Sequence, residues 1–344
     1  MTSDEKLYDL AISFLPGIGD VNARKLLSRF GTTRNIFEVS YAELIKTPGI
    51  GELAAKKLYN GFSLAFQKAE EEMMYIDSND VEYVSFVESH YPKRLLECDD
   101  ATVVLYYKGS ANFNANKIVS IVGTRNATKY GTEFCDEIVR QISEKYPGTV
   151  IVSGLAYGID IAAHKAALKY GLETWAVLGH NLKTVYPAKH KRYAQQIIDQ
   201  GGLVISDYSH NYVTDPGNFV RRNRIVAGLA DVLIVVESGA KGGSMVTANV
   251  ANHYNRDVFA VPGSINSAYS AGTNKLIKTN RAHLLESLED IEYIMGWSSK
   301  NKISKINILE LLEDLTENEQ KIVDVLKKYE FLDIDNISRQ SGLD

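Results

Sequence analysis

The chain has 344 residues, of which 45% are hydrophobic and 24% are charged, and its formal net charge at pH 7 is −5. This length exceeds one compact core, so two or three domains are expected. The sequence has no apolar run that could cross a bilayer and no basic signal-peptide start, which predicts a cytoplasmic protein with no membrane partner. A negative net charge disfavours coating of nucleic acid by bulk charge, although a local basic groove stays open.

The cysteines are few and lack the spacing of a redox or metal site. Cys98 and Cys135 form neither a C-x-x-C pair nor a metal-ligand pattern. We therefore expect two buried free thiols, no disulfide and no structural zinc.

Residues 1–70 are predicted to form a helical domain. Apolar residues recur there at helical spacing, and Pro-Gly-Ile-Gly occurs twice, at 16–19 and 48–51. Each copy predicts a tight turn whose last glycine opens a helix with bare N–H groups. The pair resembles the SAM-like helix-hairpin-helix motif, which binds a DNA phosphate at that helix N-terminus. Two interpretations stay open here, namely DNA contact or a small packing or partner domain.

Residues 75–296 are predicted to alternate strands with helices. Six short apolar runs predict buried strands at 117–122, 149–153, 174–178, 203–206, 232–237 and 257–261. Helices are predicted between most of them, at 130–146, about 158–170 and about 245–253. This pattern is typical of a mainly parallel sheet covered on both faces, which predicts a doubly wound, Rossmann-like α/β domain. Strands at 82–87 and 103–108 are predicted to extend that sheet.

Residues 297–314 are polar and lysine-rich and predict a linker to a small domain at 315–344. A capping-box pattern from Thr316 to Glu319 precedes a predicted helix at 320–329, and a second helix is predicted at 334–343. The two helices resemble the start of a winged helix without its recognition helix, so we expect an incomplete domain. A double-stranded-DNA regulator is disfavoured, because it would need that recognition helix.

Glycine-rich turns follow four of the predicted strands, at 123–125, 153–160, 177–179 and 237–244. In open parallel sheets, ligands bind at the carboxyl ends of the strands. Glycine lets a backbone N–H approach an anion, and Arg125 and Lys241 can hold a phosphate. None of the four turns is specific alone, but together they predict an anion-binding rim.

Two stretches without an acid add cations to this region. One contains Lys183 and Tyr186. Grooves that bind a single strand combine cations with an aromatic ring, and a base stacked on such a ring contributes about 1–3 kcal/mol to binding. The other holds Arg222 with its neighbours Arg221 and Arg224. A charge run also fits a solvated face, and Tyr186 also fits a core tyrosine before a proline turn.

The order of the motifs resembles the DprA family (DNA-processing protein A, also called Smf), which are bacterial recombination mediators. The motifs are SIVGTR at 120–125, SGLAYGIDIAAH at 153–164, the Tyr186-Pro187 pair, Phe219 with RNRIVAGL at 222–229, the loop at 237–247, PG at 262–263 and GTNKLI at 272–277. The helical N-terminal segment and the partial winged helix match the layout of this family as well.

The resemblance implies a DNA-processing protein that is not an enzyme. Such a protein binds single-stranded DNA, forms a homodimer and loads RecA during natural transformation. It implies a DNA-binding set of Gly123, Arg125, Ser153, Gly154, Lys183, Tyr186, Phe219, Arg222, Asn223, Lys241, Gly243 and Ser244. It implies no catalytic residue, no metal and no cofactor. Gly123 and Arg125 would meet a phosphate, Lys183 the DNA backbone and Tyr186 a base.

A nucleotide or phosphoribo-hydrolase on a related Rossmann-like fold is the alternative function. It needs an acid or base on the rim, for which Asp160 with His164, and Glu237, are the candidates. We interpret Asp160 and His164 as a structural pair, four residues apart on one helix face, with the histidine satisfied by the carboxylate. The related hydrolases are expected to have a Glu on the helix after their glycines. No Glu follows the glycines at 242–243 in this sequence, which favours a binding protein.

Overall fold

The computed structural model describes residues 3–110, 112–297, 315–326 and 334–343. The chain divides into two compact units, Met1–Ile291 and Glu292–Asp344. The first unit holds a helical segment and a sheet, and the second holds short helices. None of the described helices combines the length and the apolar character that a membrane crossing requires.

The helical segment contains the two predicted hairpins. Its helices, within the described residues, are α1 (Ser3–Ala11), α2 (Asp20–Phe30), α3 (Thr33–Glu38), α4 (Tyr41–Ile45), α5 (Glu52–Asn60) and α6 (Phe62–Ser78). The first glycine of each Pro-Gly-Ile-Gly turn has a positive φ, 76° at Gly17 and 80° at Gly49. The last glycine of each turn, Gly19 or Gly51, is the N-cap of α2 or α5. Residues with a Cβ rarely adopt a positive φ, which explains why glycine occupies these turns. The predicted helix-hairpin-helix domain is confirmed.

Among the described residues, the sheet has nine strands in the order β1-β2-β6-β5-β4-β3-β7-β8-β9. Their bounds are β1 (Glu82–Ser85), β2 (Val104–Gly109), β3 (Lys117–Val122), β4 (Thr149–Ser153), β5 (Thr174–Val177), β6 (Leu203–Ser206), β7 (Val232–Val235), β8 (Asp257–Ala260) and β9 (His283–Leu284). Only the pairs β1–β2 and β2–β6 are antiparallel, and the other neighbours are parallel. The predicted mainly parallel sheet and its two-strand extension are confirmed.

Helices connect the strands, and one more follows β9. They are α7 (Lys93–Leu96), α8 (Lys129–Lys145), α9 (Ile159–Lys169), α10 (Lys191–Asp199), α11 (Asn218–Arg221), α12 (Asn223–Gly228), α13 (Gly243–His253), α14 (Ala271–Lys278) and α15 (Leu288–Met295). Every residue of β4, β5, β6 and β7 is buried, which is the pattern of strands covered on both faces. The residues before β7 form two short helices, α11 and α12, and β9 was not predicted.

The winding of the sheet places a crevice between β3 and β7. From β3 the chain builds the sheet in one direction through β4, β5 and β6, and it then returns to the other side of β3 with β7 and β8. The strand order therefore reverses between β3 and β7, and in open α/β sheets ligands bind outside the carboxyl ends of the strands at such a switch point.

The first hairpin packs against the sheet through charged groups. Arg224 lies between two carboxylates, 3.0 Å from Asp20 and 2.8 Å from Asp207. The other Asp20 oxygen accepts the backbone N–H of Val103 at 3.0 Å. The first turn of α2 therefore has a packing role. The second hairpin presents Leu53, which is 79% exposed.

The second unit contains α16 (Glu317–Leu326) and α17 (Ile334–Ser341). Thr316 and Glu319 form the predicted capping box, since the Thr316 N–H donates to the Glu319 carboxylate at 2.8 Å and the Glu319 N–H to the Thr316 hydroxyl at 3.4 Å. The linker predicted at 297–314 lies outside the described residues, except for residue 297. The winged helix and the domain boundaries stay predictions.

Candidate functional site

A cavity of about 310 Å³, here called the rim pocket, lies at the switch point of the sheet. It is bounded by the turns after β3, β4 and β7 and by residues of α11, α12 and α13. Eight of the twelve predicted site residues line it, namely Gly123, Arg125, Phe219, Arg222, Asn223, Lys241, Gly243 and Ser244. The fold thus gathers at one place side chains that are spread over more than a hundred positions of the chain.

The turn after β3 is hydrogen-bonded on one side to the turn after β7 and on the other to the start of α9. The Thr124 N–H donates to the Glu237 carbonyl at 2.7 Å, and the Thr124 carbonyl accepts the Ile159 N–H at 3.2 Å. A Cβ added at Gly123 would lie 2.5 Å from the Ile159 side chain, so only glycine fits there. The Arg125 side chain, two residues after Gly123, is exposed at the pocket, and no ion pair is found for it in the described part of the chain.

The N-terminus of α13 supplies backbone donors to the same pocket. The helix begins at Gly243, its N-cap Gly242 has no side-chain cap, and Lys241 is exposed beside it. The first N–H groups of an α-helix have no intrahelical acceptor and carry a partial positive charge, which favours an anion. The Ser244 hydroxyl donates to the Ser238 hydroxyl at 2.9 Å, which ties the helix start to the turn after β7.

The wall of the pocket contains a buried cation and a buried acid. Arg222 is 4% exposed and Asp160 is 8% exposed. The Arg222 guanidinium donates to the Val177 carbonyl, and a Cβ added at Gly154 would lie 2.1 Å from its Nη1 atom. Burial lowers the pKa of Arg222 and raises the pKa of Asp160, each charge partly compensating the other. The net positive charge of the pocket therefore comes from its exposed cations.

Ser153 and Gly154 lie beneath the pocket and do not line it. The Ser153 hydroxyl is fully buried and donates to the Ile121 carbonyl at 2.6 Å. Gly154 leaves the space that the Arg222 guanidinium occupies. In this structure both residues shape the wall, while their predicted contact with DNA stays a prediction.

Tyr186 stands beside the pocket, whereas Lys183 points elsewhere. Tyr186 is 60% exposed, and its ring centroid lies 5.7 Å from that of Phe219, so the alternative of a core tyrosine is wrong. The Lys183 ammonium lies 5.3 Å from the ring centroid of Tyr75 in α6 and 3.3 Å from the Asn211 side-chain oxygen. Its predicted backbone contact stays a prediction, and in this arrangement its charge is directed towards the helical segment.

The three acid–base candidates of the alternative function have structural contacts. Asp160 accepts the backbone N–H groups of Gly154 and Ala156. Glu237 accepts the Thr128 N–H at 2.9 Å and the Thr128 hydroxyl at 2.6 Å, which holds the start of α8. His164 is fully buried, and desolvation lowers its pKa to about 3. Its Nδ1 atom lies 2.8 Å from the Thr174 hydroxyl, so the expectation that a carboxylate satisfies this histidine is wrong. The structure describes no cluster of three or more His, Cys, Asp or Glu in the part of the chain it covers that could hold a metal.

Several residues that line the pocket were not predicted. Thr124, Ala156, Ser238 and Thr247 belong to the same glycine-rich turns or to the helix that follows one of them. Their position next to predicted residues was the available signal. Both cysteines are buried, as expected.

Comparisons with known proteins find matches over most of the chain. Residues 82–295 match the family model of DNA recombination-mediator protein A, and residues 9–63 match that of the SAM-like helix-hairpin-helix tandem. A Smf protein from Synechocystis sp. is 30% identical over 98% of this chain and 81% of its own length. The X-ray structure of DNA processing protein A from Streptococcus pneumoniae is 31% identical, with a TM-score of 0.69, over 84% of this chain and 97% of that one. DNA processing protein A from Helicobacter pylori, whose structure concerns a single-stranded DNA binding mode, is 30% identical with a TM-score of 0.55, over 62% and 95% of the two chains.

Proposed function

Because the chain belongs to the DNA recombination-mediator protein A family, we propose that it binds single-stranded DNA at the rim pocket and acts as a recombination mediator without making or breaking a bond. The relative from Helicobacter pylori that is known for binding single-stranded DNA has the same fold at 30% identity, which supports the proposal. A cytoplasmic location, as expected from the sequence, is part of it.

One observation carries the proposal. Two exposed cations, Arg125 and Lys241, and the N-terminus of α13 surround one pocket at the switch point. Arginine forms paired hydrogen bonds with a phosphate, lysine contributes a point charge, and a helix start adds N–H donors. The pocket therefore suits the phosphate of a nucleic-acid backbone.

The aromatic pair next to the pocket supports a single strand over a duplex. Tyr186 is exposed, and its ring packs against that of Phe219, which lines the pocket. An unpaired base can stack on such a ring while its phosphate occupies the pocket, whereas bases in a duplex are already stacked on each other. Cations along a backbone with a ring for a base are the common pattern of single-strand binding.

We further propose that the bound strand is handed to RecA in natural transformation and that the active form is a homodimer. Family membership supports both statements. The structural contacts of Asp160, His164 and Glu237 support a binding role over the hydrolase alternative.

The test is fluorescence anisotropy of a labelled oligothymidine. We expect binding whose logarithmic dependence on salt has a slope of roughly −0.7 per neutralised phosphate and which an equal length of duplex does not displace. The double variant Arg125→Gln, Lys241→Gln is expected to lose it. The double variant Lys68→Gln, Lys278→Gln removes two exposed cations outside the pocket and serves as the charge-matched control.

Two outcomes would overturn the proposal. One is no binding by the unaltered protein at moderate salt, after which nucleotide hydrolysis with Asp160→Asn and Glu237→Gln becomes the next assay. The other is an equal loss in both double variants, since it would show that net charge and not the pocket binds DNA.

Mediator activity is measured separately. RecA-catalysed strand exchange on DNA coated with single-strand-binding protein is expected to start faster with this protein than without it. The Arg125→Gln, Lys241→Gln variant should give no acceleration. Sedimentation velocity of the unaltered protein measures whether it is a dimer.

A further inference from the structure

A second cavity, here called the side groove, adjoins the rim pocket. Its volume is about 450 Å³, and Arg125, Gly158 and Lys165 line it. Arg125 lines both cavities, so they lie on either side of one exposed cation. The turn after β4 separates them, with Ala156 on the rim pocket and Gly158 on the side groove.

The side groove is positively charged. Its acid, Asp136, is paired with Lys169 at 2.9 Å and also accepts the Tyr170 hydroxyl at 2.7 Å. Arg125 and Lys165 also line the groove and belong to none of the ion pairs found among the described residues. Two cations therefore remain uncompensated along it.

A second cation stands next to Lys165, and the two share one tyrosine. The Lys165 ammonium lies 5.0 Å from the ring centroid of Tyr193, and the Arg192 guanidinium carbon lies 4.6 Å from it. Arg192 also donates to the Tyr193 hydroxyl at 2.6 Å. Both cations are exposed, and no carboxylate pairs with either within the described residues. Like charges held at one phenol repel each other, and an anion bound between them relieves that repulsion.

An exposed aromatic ring lies on the turn that separates the two cavities. Tyr157 lies between Ala156 and Gly158 and is 42% exposed. Its ring centroid is 5.1 Å from that of His190, which is 6.3 Å from that of Tyr193. An exposed ring beside a row of cations is the arrangement in which one nucleotide stacks while its neighbours' phosphates are held.

We propose that the side groove is a second segment of the single-strand site. The strand leaves the rim pocket past Arg125, stacks a base on Tyr157, and sets a phosphate between Lys165 and Arg192. This inference rests on the proposed function and extends it, because it assigns the path of the strand beyond the rim pocket and three residues outside the predicted DNA-binding set.

The experiment compares affinity at different strand lengths. Labelled oligothymidines from about 5 to about 25 nucleotides are titrated against the unaltered protein, the Lys165→Gln, Arg192→Gln variant and the charge-matched Lys68→Gln, Lys278→Gln variant. A longer strand offers more binding positions to every variant alike. The measured quantity is therefore the ratio of the variant's dissociation constant to that of the unaltered protein at each length, in which this effect cancels.

We expect that ratio to be near one for the shortest strand, which fills only the rim pocket, and to rise to about tenfold for long strands at low salt. The salt slope for long strands is expected to become shallower by roughly 0.7 for each phosphate contact removed. Tyr157→Ala should weaken only long strands, by about fivefold or more, and Tyr157→Phe should not.

Unchanged binding of the shortest strand shows that each variant is folded. A ratio that stays near one at every length, or that is equally raised at every length, would overturn the side groove while leaving the rim pocket intact. No binding by the unaltered protein at any length would instead overturn the proposed function.

Discussion

Removing the buried guanidinium of Arg222 tests whether it supports the fold of the rim pocket. In the Arg222→Met variant the Val177 carbonyl loses its donor and Asp160 loses the nearest compensating charge. Leaving a buried polar group without its partner costs about 1–3 kcal/mol, and breaking a buried charge pair costs about 3–5 kcal/mol. Asp160 keeps the backbone N–H groups of Gly154 and Ala156, so we expect the lower end, a loss of about 3 kcal/mol in the free energy of unfolding.

The assay is urea unfolding followed by the fluorescence of Trp175, which is fully buried in β5 two residues before Val177. A Trp297→Phe background removes the other tryptophan signal. Arg125→Met is the control, because this exposed cation lines the same pocket and its removal should change stability by less than about 0.5 kcal/mol.

A double variant separates the two explanations of the loss. Adding Asp160→Asn to Arg222→Met removes both buried charges, so the double variant should lose less stability than the sum of the single losses, by about 1 kcal/mol or more. Additive losses, or an unfolding midpoint of Arg222→Met equal to that of Arg125→Met, would refute the argument that Arg222 and Asp160 compensate each other.

Three further predictions concern pH, the turn after β7 and the exposed ring. Burial holds the pKa of His164 at about 3, below its value near 6.5 in the unfolded chain, so between these pH values the unfolded chain binds a proton that the folded chain does not. The free energy of unfolding is therefore full above pH 6.5 and falls towards pH 3 by up to about 1.4 kcal/mol per pH unit. His164→Gln should make this fall less steep in unfolding measurements between about pH 7 and about pH 5, and an unchanged slope would contradict the role of His164. Glu237→Ala leaves the Thr128 donors unpaired and should lower the unfolding free energy by about 2–3 kcal/mol, whereas a catalytic role alone would leave stability unchanged. Tyr186→Ala should weaken single-strand binding by about 1–3 kcal/mol in the anisotropy assay while Tyr186→Phe keeps it, and equal losses would point to the hydroxyl instead of stacking on the ring next to Phe219.

The order of secondary structure and the position of the rim were predictable because they depend on local chemistry. Buried parallel strands are short apolar runs, and turns at their carboxyl ends require glycine where another backbone comes close, as at Gly123. The same locality explains the hairpin glycines, since a positive φ is a property of one residue. Residues of four separate turns could therefore be assigned to one edge of the sheet before their contacts were known.

What the tertiary structure decided is which of these side chains are exposed. Arg222 and Arg125 were both predicted to bind DNA, yet one is buried against Val177 and the other is exposed. Arg222 immediately precedes α12, whose apolar residues belong to the core of the sheet, whereas Arg125 follows β3 at the end of the sheet. Tyr186 is exposed and Lys183 faces Tyr75 for a similar reason, since their surroundings come from segments remote in sequence. Burial is set by contacts between distant parts of the chain, and periodicity within one segment contains no information about those contacts.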